Sequence, residues 1–594
     1  MTIKKVRDRG STSSDQGMAM ATVIIITFTI SSLAIALTSL SVSNLGKASN
    51  DEDWQAALNA ANAGVSEYLA RLNEDGDYWK YRNPSADFSA SGSGTLPEES
   101  NPFFTDWTRI PGTDPNGQKI PVTRYEVDNS EYVQTGLIRL QSSGRVGNIV
   151  RTVETVLRRR SFIDYLYFTD FETTDPALYT GQGEFTSSQA QSRCARYLYA
   201  GRSNWVQRRN GGTLSNNSRA CREINFTSND QIRGPLHTND AMLLCGRPEF
   251  LGDTSTSYDP QSGQRYRGNT GCSNNEPRVQ RAGDPRYVSP LTLPPSNTAI
   301  RREVDPTYTS EPGCLYTGPT AISLLPNGNM SVLSPSTNPD QNPSCGGGAQ
   351  QQEVSLPPNG VVYVQNLPAN PANDSYALSE PASCVGDNCV GYPIEDDVTD
   401  YDPNVGDVFV SGQLSGSLTI AAENDIVLVG DTTYESGDGG DDLLGLVANN
   451  FIEVYHPVGS PLVCTRTDWR WRNGGWQRVC VRYGRQGDNE NLLNEDHWGD
   501  NGEPDLYAAM LSVNHSIRVQ NYNEGDQLGT LNIYGALGQR YRGIVGTFGG
   551  NGGTGYDKNY NYDYRLKYQS PPKFLDPVQA AFAISVWSEE DKAY

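Results

Sequence analysis

The feature that most constrains this chain is its beginning, where a short basic leader ending in Gln16, Gly17 and Met18 runs straight into an uncharged, largely apolar segment from Met18 to Val42. An ordinary secretory peptide has its apolar core first and a small-residue cleavage site behind it, so cleavage discards the core. Here the cut-like signal, Gly17 before Met18, stands ahead of the apolar run, and cleavage would keep that run. Residues 18–42 make a helix of about 38 Å, enough to cross a hydrocarbon core of about 30 Å with tilt. Lys4, Lys5, Arg7 and Arg9 outweigh Asp8 and Asp15 ahead of the segment, which by the positive-inside rule puts the N-terminus in the cytoplasm. The expectation is a single-pass membrane protein with an extracellular head, and an uncleaved signal anchor is the competing reading.

After a polar break at residues 43–46, Trp54, Leu58, Ala61, Val65, Leu69 and Leu72 recur at spacings of three and four, one stripe of an amphipathic helix. Asn50 is a candidate cap, Asp51, Glu52 and Asp53 suit the first turn, and Asp75-Gly76-Asp77 ends the helix. Small residues, among them Ala56, Ala57, Ala60, Ala61, Ala63 and Gly64, crowd its middle. The leader, the apolar helix and this alanine-rich continuation together resemble the N-terminal region of PilX-type minor pilins, over about residues 10–74.

That resemblance implies removal of the leader by a prepilin peptidase between Gly17 and Met18, residence in the membrane before assembly, and packing against other pilins through the N-terminal helix. One departure concerns position in a filament. Major pilins of this superfamily usually carry glutamate as the fifth mature residue, where it meets the amine of a neighbouring subunit; here that position is Thr22. A buried charge is tolerated only when paired, so a subunit without it cannot make the usual pairing. By analogy with the glutamate-less pseudopilin at the tip of type II secretion systems, a large head on such a stalk implies a tip or low-copy subunit.

At 594 residues the chain exceeds a single core, and its formal charge of -22 argues against nucleic acid as a partner, a local basic patch aside. With 59 Gly, 35 Pro and 32 Tyr against 15 Phe, the exported part reads as mainly β with long loops and wet, tyrosine-rich surfaces. All ten cysteines follow residue 190, and an even count on the exported side of an anchor reads as disulfides. Spacing does not give the connectivity; the local guesses are Cys384 with Cys389 and Cys464 with Cys480. With neither a CxxC pair nor a His pair at ligand spacing, a zinc site is disfavoured.

Residues 122–127, 137–140 and 149–157 alternate apolar and polar residues, which predicts a small antiparallel sheet on the second half of the helix. Further on, Asn424-Asp425, Asn449-Asn450 and Asn514-His515 each precede a short β run, with Asn239-Asp240 a fainter copy. The first step is 25 residues, near one coil of a solenoid. The expected fold class is therefore α+β: a long N-terminal membrane and amphipathic helix, a small antiparallel sheet, and a mainly β head built as a right-handed parallel β-helix, with a β-sandwich as the alternative. The expected domains are a leader (1–17), the helix (18–76), a small β region (77–160) and the head (161–594).

Between Cys464 and Cys480, Trp469, Trp471 and Trp476 alternate with Arg470 and Arg472. Such a hairpin suits a sugar, a surface or another pilin, although packing onto its own domain is the commoner fate of tryptophans. Asp496, Asp500 and Asp505 bring carboxylates and a glycine turn together; calcium is one reading, a solvated acidic loop the default, and the EF-hand spacing is not met. No cofactor is otherwise implied. Without GxSxG, HExxH or a Walker loop, the chain is not read as an enzyme. The functional expectation is a minor pilin or pilus-tip subunit acting in assembly and adhesion, with a membrane-anchored adhesin or a polysaccharide-acting β-helix enzyme as alternatives.

Overall fold

The computed structural model describes residues 15–110, 119–198, 221–378, 390–392, 404–547 and 553–594, apart from short gaps within these ranges; side chains in residues 15–22 and 36–49, and most of those in residues 459–501, lie outside the description. The chain forms two compact units, one of Met1–Tyr132, Leu137–Leu157 and Ile584–Tyr594, the other of Val133–Gly136 and Arg158–Ala583. The C-terminal residues 584–594, expected in the head, thus lie in the first unit.

In the first unit, helix α1 runs from Asp15 to Glu74. Its backbone stays helical through residues 43–46 and through Asn50, where a break and a cap were expected. Ser, Asn and Gly cost at most about 1 kcal/mol each in a helix interior relative to Ala, and a helix already nucleated on both sides absorbs that. The strands Val122–Asp128, Ile138–Val146 and Ile149–Arg159 pair antiparallel in chain order. A two-residue turn with Gly147 at φ 57° joins the last two, a conformation a β-carbon would strain. The strand Phe582–Glu590 then lies beside Ile149–Arg159, so in sequence nearly all of the second unit, residues 160–581, is inserted between two adjacent strands of this sheet.

The second unit is built on one 22-stranded sheet whose rungs stack mostly in parallel. One ladder passes through Cys314–Thr317, Val361–Gln365, Ser417–Ala422, Leu443–Ala448, Asp505–Ser512 and Gln527–Tyr541. It continues through Tyr167–Phe171, Leu236–Thr238, Thr254–Thr256 and Arg286–Tyr287. The first strand of the unit in sequence is therefore in the middle of the stack. From there the chain builds outward to residue 287, crosses to the far end at residue 314 and builds back.

Three Asn-led turns stack within this arrangement. Asn450 N–H donates to the Asn424 carbonyl at 3.1 Å, Asn514 N–H to the Asn449 carbonyl at 2.9 Å, and Asn450 Nδ2 to Asn424 Oδ1 at 2.5 Å. The strands they lead are in register, with Ile426 on Ile452 on Ile517 and Leu428 on Val454 on Val519, all buried. Each such aliphatic side chain contributes about 1.5–3 kcal/mol of burial. The copy at Asn239-Asp240 likewise follows a strand of the ladder described above, Leu236–Thr238, but leads Met242–Cys245, which pairs in a separate three-stranded sheet.

The expected fold class is overturned. The chain is mostly β, with 40% strand against 18% helix and large mixed sheets, so α+β does not describe it. Nor is the large sheet a uniform parallel β-helix or an antiparallel sandwich: Thr320–Leu324, Asn329–Ser334 and Gly348–Ser355 pair antiparallel within it. Pro326-Asn327-Gly328 supplies a tight turn there, and a tight turn pairs its flanking strands antiparallel. The tyrosines are not chiefly surface residues either, since Tyr167, Tyr316, Tyr363, Tyr556, Tyr560 and Tyr562 are all in the core.

Disulfides join consecutive cysteines, Cys194 to Cys221, Cys245 to Cys272 and Cys314 to Cys345, with Cα separations of 5.6, 5.2 and 5.5 Å. Loops of this size contribute roughly 3 kcal/mol each on the chain-entropy account.

One turn carries an electrostatic cost. Asp425 accepts from the Phe451 N–H at 2.8 Å, and burial, followed by the Asp407 and Glu453 carboxylates, holds its carboxyl well above the usual carboxylate range. The folded state thus favours the protonated acid, and the stability linked to it is present at low pH and lost as pH rises through the raised pKa. Asp425→Asn keeps an acceptor for the Phe451 N–H and removes the charge. Relative to wild type, its thermal midpoint should rise most above neutral pH and the advantage should shrink toward pH 4; an advantage independent of pH would refute the assignment.

Candidate functional site

The two halves of α1 have different surroundings. In residues 23–35 every large apolar side chain is solvent-facing, from Ile26 at 50% exposure to Phe28 at 75%. The hydroxyls in this stretch do not offset that: Thr27, Thr29 and Ser32 donate back to the carbonyls of Val23, Ile25 and Phe28 at 2.7–2.9 Å, so their polar atoms are satisfied inside the helix. A contiguous apolar surface of this kind marks an interaction site.

The second half is fastened to the sheet. Ala57, Ala60, Ala61, Val65, Tyr68 and Leu72 are buried, whereas Trp54, expected on the inner stripe, is 46% exposed. The inner face is turned toward the small residues because the sheet approaches there. A β-carbon on Gly144 would lie 2.1 Å from the Ala57 carbonyl oxygen, and one on Gly64 would lie 2.3 Å from Ser142 Oγ. Ser142 Oγ donates to the Ala61 carbonyl at 2.7 Å across this contact. Beyond it Tyr68, Tyr78, Phe104 and Tyr125 form an aromatic cluster in which Tyr125 donates to Glu67 at 2.7 Å and Asn101 Nδ2 donates to both the Tyr78 and Tyr125 hydroxyls. Burial, then the Glu67 charge, pushes the Tyr125 phenol far up, which keeps it a donor. The C-terminal strand adds an ion pair from Glu589 to Arg151 Nε at 2.5 Å, with the Arg151 guanidinium 3.3 Å from the centre of the Trp54 ring, and a hydrogen bond from Trp587 Nε1 to Asn62 at 2.9 Å.

The sequence-derived site residues are distributed as follows. Gly17, Met18 and Thr22 lie on α1 with side chains outside the description. The expected localisation is corrected: among the described residues no helix is long and apolar enough to cross a membrane, so a single-pass membrane protein is not supported. The stretch with described apolar side chains, residues 23–35, is about 20 Å long against a core of about 30 Å. Cys384 and Cys389 lie outside the described residues, as do Asp496 and Asp500; Asp505 donates its backbone N–H to Asp431 at 2.9 Å. Among the described residues, no group of three or more His, Cys, Asp or Glu is arranged to hold a metal ion.

The tryptophan segment is a hairpin of Leu462–Arg472 with Gly475–Arg485, in which Cys464 stands opposite Tyr483, Cys480 opposite Thr467, and Trp471 opposite Trp476. Trp469 is 64% exposed.

Buried ion pairs escaped the sequence reading. Arg518 meets Glu453 at 2.6 Å with both side chains enclosed, and Gln520 Nε2 donates to the other Glu453 oxygen at 2.6 Å. Arg542 meets Glu172 at 2.9 Å, and Lys558 meets Asp230 at 3.1 Å. His515 Nδ1 lies 3.0 Å from the buried Asp175, with the ring stacked on Phe451. One signal was available: Glu453 and Arg518 occupy the same position in two copies of the Asn-led repeat, with opposite charge in otherwise apolar runs. The Arg518–Glu453 and Arg542–Glu172 pairs are enclosed and mutually satisfied, whereas His515 and Lys558 are partly exposed, and the arrangement of the enclosed pairs fixes register.

No family model matches the chain, and no curated protein matches it. Among solved structures, the competence-associated pilin ComZ from Thermus thermophilus matches over 91% of this chain and 97% of that chain, at 12% identity and a TM-score of 0.27. A TM-score at that level carries no argument about fold or function.

The packing of α1 on its sheet gives a direct test. Gly144→Ala pushes a methyl group into the helix backbone, an overpacking that costs about 1–3 kcal/mol. Chemical denaturation of the full chain should show an early transition moved to lower denaturant while the head transition stays in place. Ser66→Ala, on the exposed face of α1, should leave both unmoved.

Proposed function

We propose that this chain is a low-copy, pilin-like subunit of a surface filament, of the PilX-type minor pilin kind. Residues 23–35 of α1 pack among the helices of other subunits, and the β-rich second unit is its head. The observation that carries the reading is the division of one helix into an apolar stretch that nothing described in the chain covers and a second half fastened to a small antiparallel sheet. A helix apolar around its whole circumference needs partners, and other helices of the same kind satisfy it along its length. The leader order, with Gly17 ahead of the apolar run, supports the same reading because processing there retains the packing helix. Thr22 in place of the usual glutamate, together with a large head, supports a tip or sparse position.

Two measurements test this. Mass spectrometry of surface protein should find a mature chain starting at Met18, and Gly17 substitution should trap the precursor. Ile24→Asp with Phe28→Asp should abolish recovery of the chain in sheared filaments while the disulfides Cys194–Cys221, Cys245–Cys272 and Cys314–Cys345 still form. Recovery of the double variant at wild-type level, or uniform antibody decoration along filaments at the copy number of the main subunit, would overturn the proposal.

A further inference from the structure

Lysine is scarce in the second unit. The sequence holds none between Lys119 and Lys558, and the enclosed pairs of Arg518 with Glu453 and Arg542 with Glu172 use arginine. Lys558 is the exception, and it stands on an inward row. Along the strand Thr554–Tyr562 alternate residues share a face, and Tyr556, Tyr560 and Tyr562 of that row are buried. On one neighbouring rung Lys558 is in register with the buried Leu531. On the other, Asn559 pairs with Gln231, which brings Lys558 level with Asp230.

The two side chains meet closely. Lys558 Nζ lies 3.1 Å from Asp230 Oδ1, with the aspartate side chain 4% exposed and the lysine side chain 15%. Three further hydrogen bonds hold Asp230 in place: Oδ2 accepts the Thr227 N–H at 2.7 Å, its own N–H donates to the Thr227 carbonyl at 3.1 Å, and its carbonyl accepts the Glu249 N–H at 2.9 Å. Burial pushes the Lys558 ammonium below its usual range, which brings the neutral, nucleophilic amine within reach. An arginine would make the same ion pair with a more rigid fork of donors, but it does not lose its proton. Lysine at this one inward position therefore has a chemical consequence that arginine would not have.

We propose that Lys558 and Asp230 condense to an intramolecular amide, a covalent cross-link between two rungs. A proton passes from Nζ to Oδ1 along their hydrogen bond, which leaves a neutral amine beside a neutral carboxylic acid. Nζ then attacks Asp230 Cγ; the N–C bond forms, the C–OH bond breaks, and a second proton from the nitrogen leaves with the hydroxyl as water. One ammonium and one carboxylate become one amide and one water, and no oxidant or cofactor is consumed. Groups fixed at this separation react with effective molarities of about 10⁵–10⁸ M, far above the concentration of the water that opposes condensation. The step also removes two charges from a site that hydrates them poorly. The partial exposure of Lys558 gives the released water a way out. The amide ties Thr554–Tyr562 to the turn before Gln231–Arg233 and makes permanent a join between segments 328 residues apart. This cross-link goes beyond the reading of the chain as a filament subunit and does not depend on it.

The experiment is mass spectrometry of the purified, reduced full chain, with Lys558→Arg and Asp230→Ser as references that cannot condense. Arginine keeps the ion pair, and serine keeps an acceptor for the Thr227 N–H. Measured against these two references, which carry any N-terminal processing equally, wild type should be lighter by one water than its sequence requires. Digestion should give a branched peptide joining the Lys558 segment to the Asp230 segment, in wild type only. On reducing, denaturing gels the wild-type chain, closed into a loop, should migrate apart from both variants. Linear peptides with unmodified Lys558 and Asp230 as the main wild-type species would overturn the inference, as would a branched peptide that persists in Lys558→Arg. The wild-type digest is decisive by itself, so a variant that folds poorly does not rescue the inference.

Discussion

The second unit depends on the parallel pairing that joins its two runs of rungs, in which one short strand is central. Tyr167–Phe171 lies between Leu537–Tyr541 on one side and Leu236–Thr238 on the other, parallel to both. Two runs of rungs, one built from residues 226–287 and one from residues 314–562, meet through this strand in one ladder and through the parallel pairing of Thr554–Tyr562 with Gln231–Arg233 in the next, and without these joins each run would present an open parallel edge, a template for wrong pairing. The join is reinforced by charge. Arg542 donates its backbone N–H to the Phe171 and Thr173 carbonyls, its guanidinium takes Glu172, and it lies 3.7 Å from the centre of the Phe226 ring. A buried ion pair contributes little net stability over an apolar pair, but a register slip that left one partner alone would cost several kcal/mol. Arg542 with Glu172, 370 residues apart, and Lys558 with Asp230, 328 apart, therefore act as register markers at the place where the chain meets itself.

The first unit uses the same topological device. Its sheet gains a strand from Phe582–Glu590, supplied only after the second unit has been traversed. Arg151, Glu589 and Trp54 then tie that strand to both the sheet and the helix. In both units the last-made segment completes an arrangement begun by an early one, so the contacts that define the fold have large sequence separation and their loop-closure entropy must be met before they stabilise anything.

Much of the local structure was legible. Period-two alternation marked the strands around Val122–Asp128 and Ile149–Arg159, and the spacing of Ala61, Val65 and Leu72 marked the inner face of α1. The Asn-led copies were legible as a repeat because each turn places an asparagine over the last, where backbone and side-chain amides bond from rung to rung. Three things were not legible, and each is a long-range fact. Trp54 turns outward because Gly144 admits the helix backbone on the alanine face, a contact between residues more than 80 apart. The C-terminal strand carries no signal of where it pairs, since an alternating run fits any free edge. The fold class was misjudged because an apolar N-terminal run was weighed as though it set the class, whereas strand outweighs helix by 40% to 18%.

The candidate site was half legible for a related reason. Composition exposed the tryptophan and arginine hairpin, because six arginines in 24 residues stand out in an acidic chain. The buried pairs were hidden because a charge in an apolar run is ordinarily taken as the end of that run. Glu453 and Arg518 show the alternative: when a strand is one rung of a stack, its inward positions face the equivalent positions of the next rung, and opposite charges in register satisfy each other. Val427 occupies the same position in the first copy, so the charged pair is confined to the two rungs that bound the inserted hairpin. A pair that tolerates no slip is physically suited to that place, because an insertion of some 60 residues between successive rungs gives the second rung the most freedom to stack out of register.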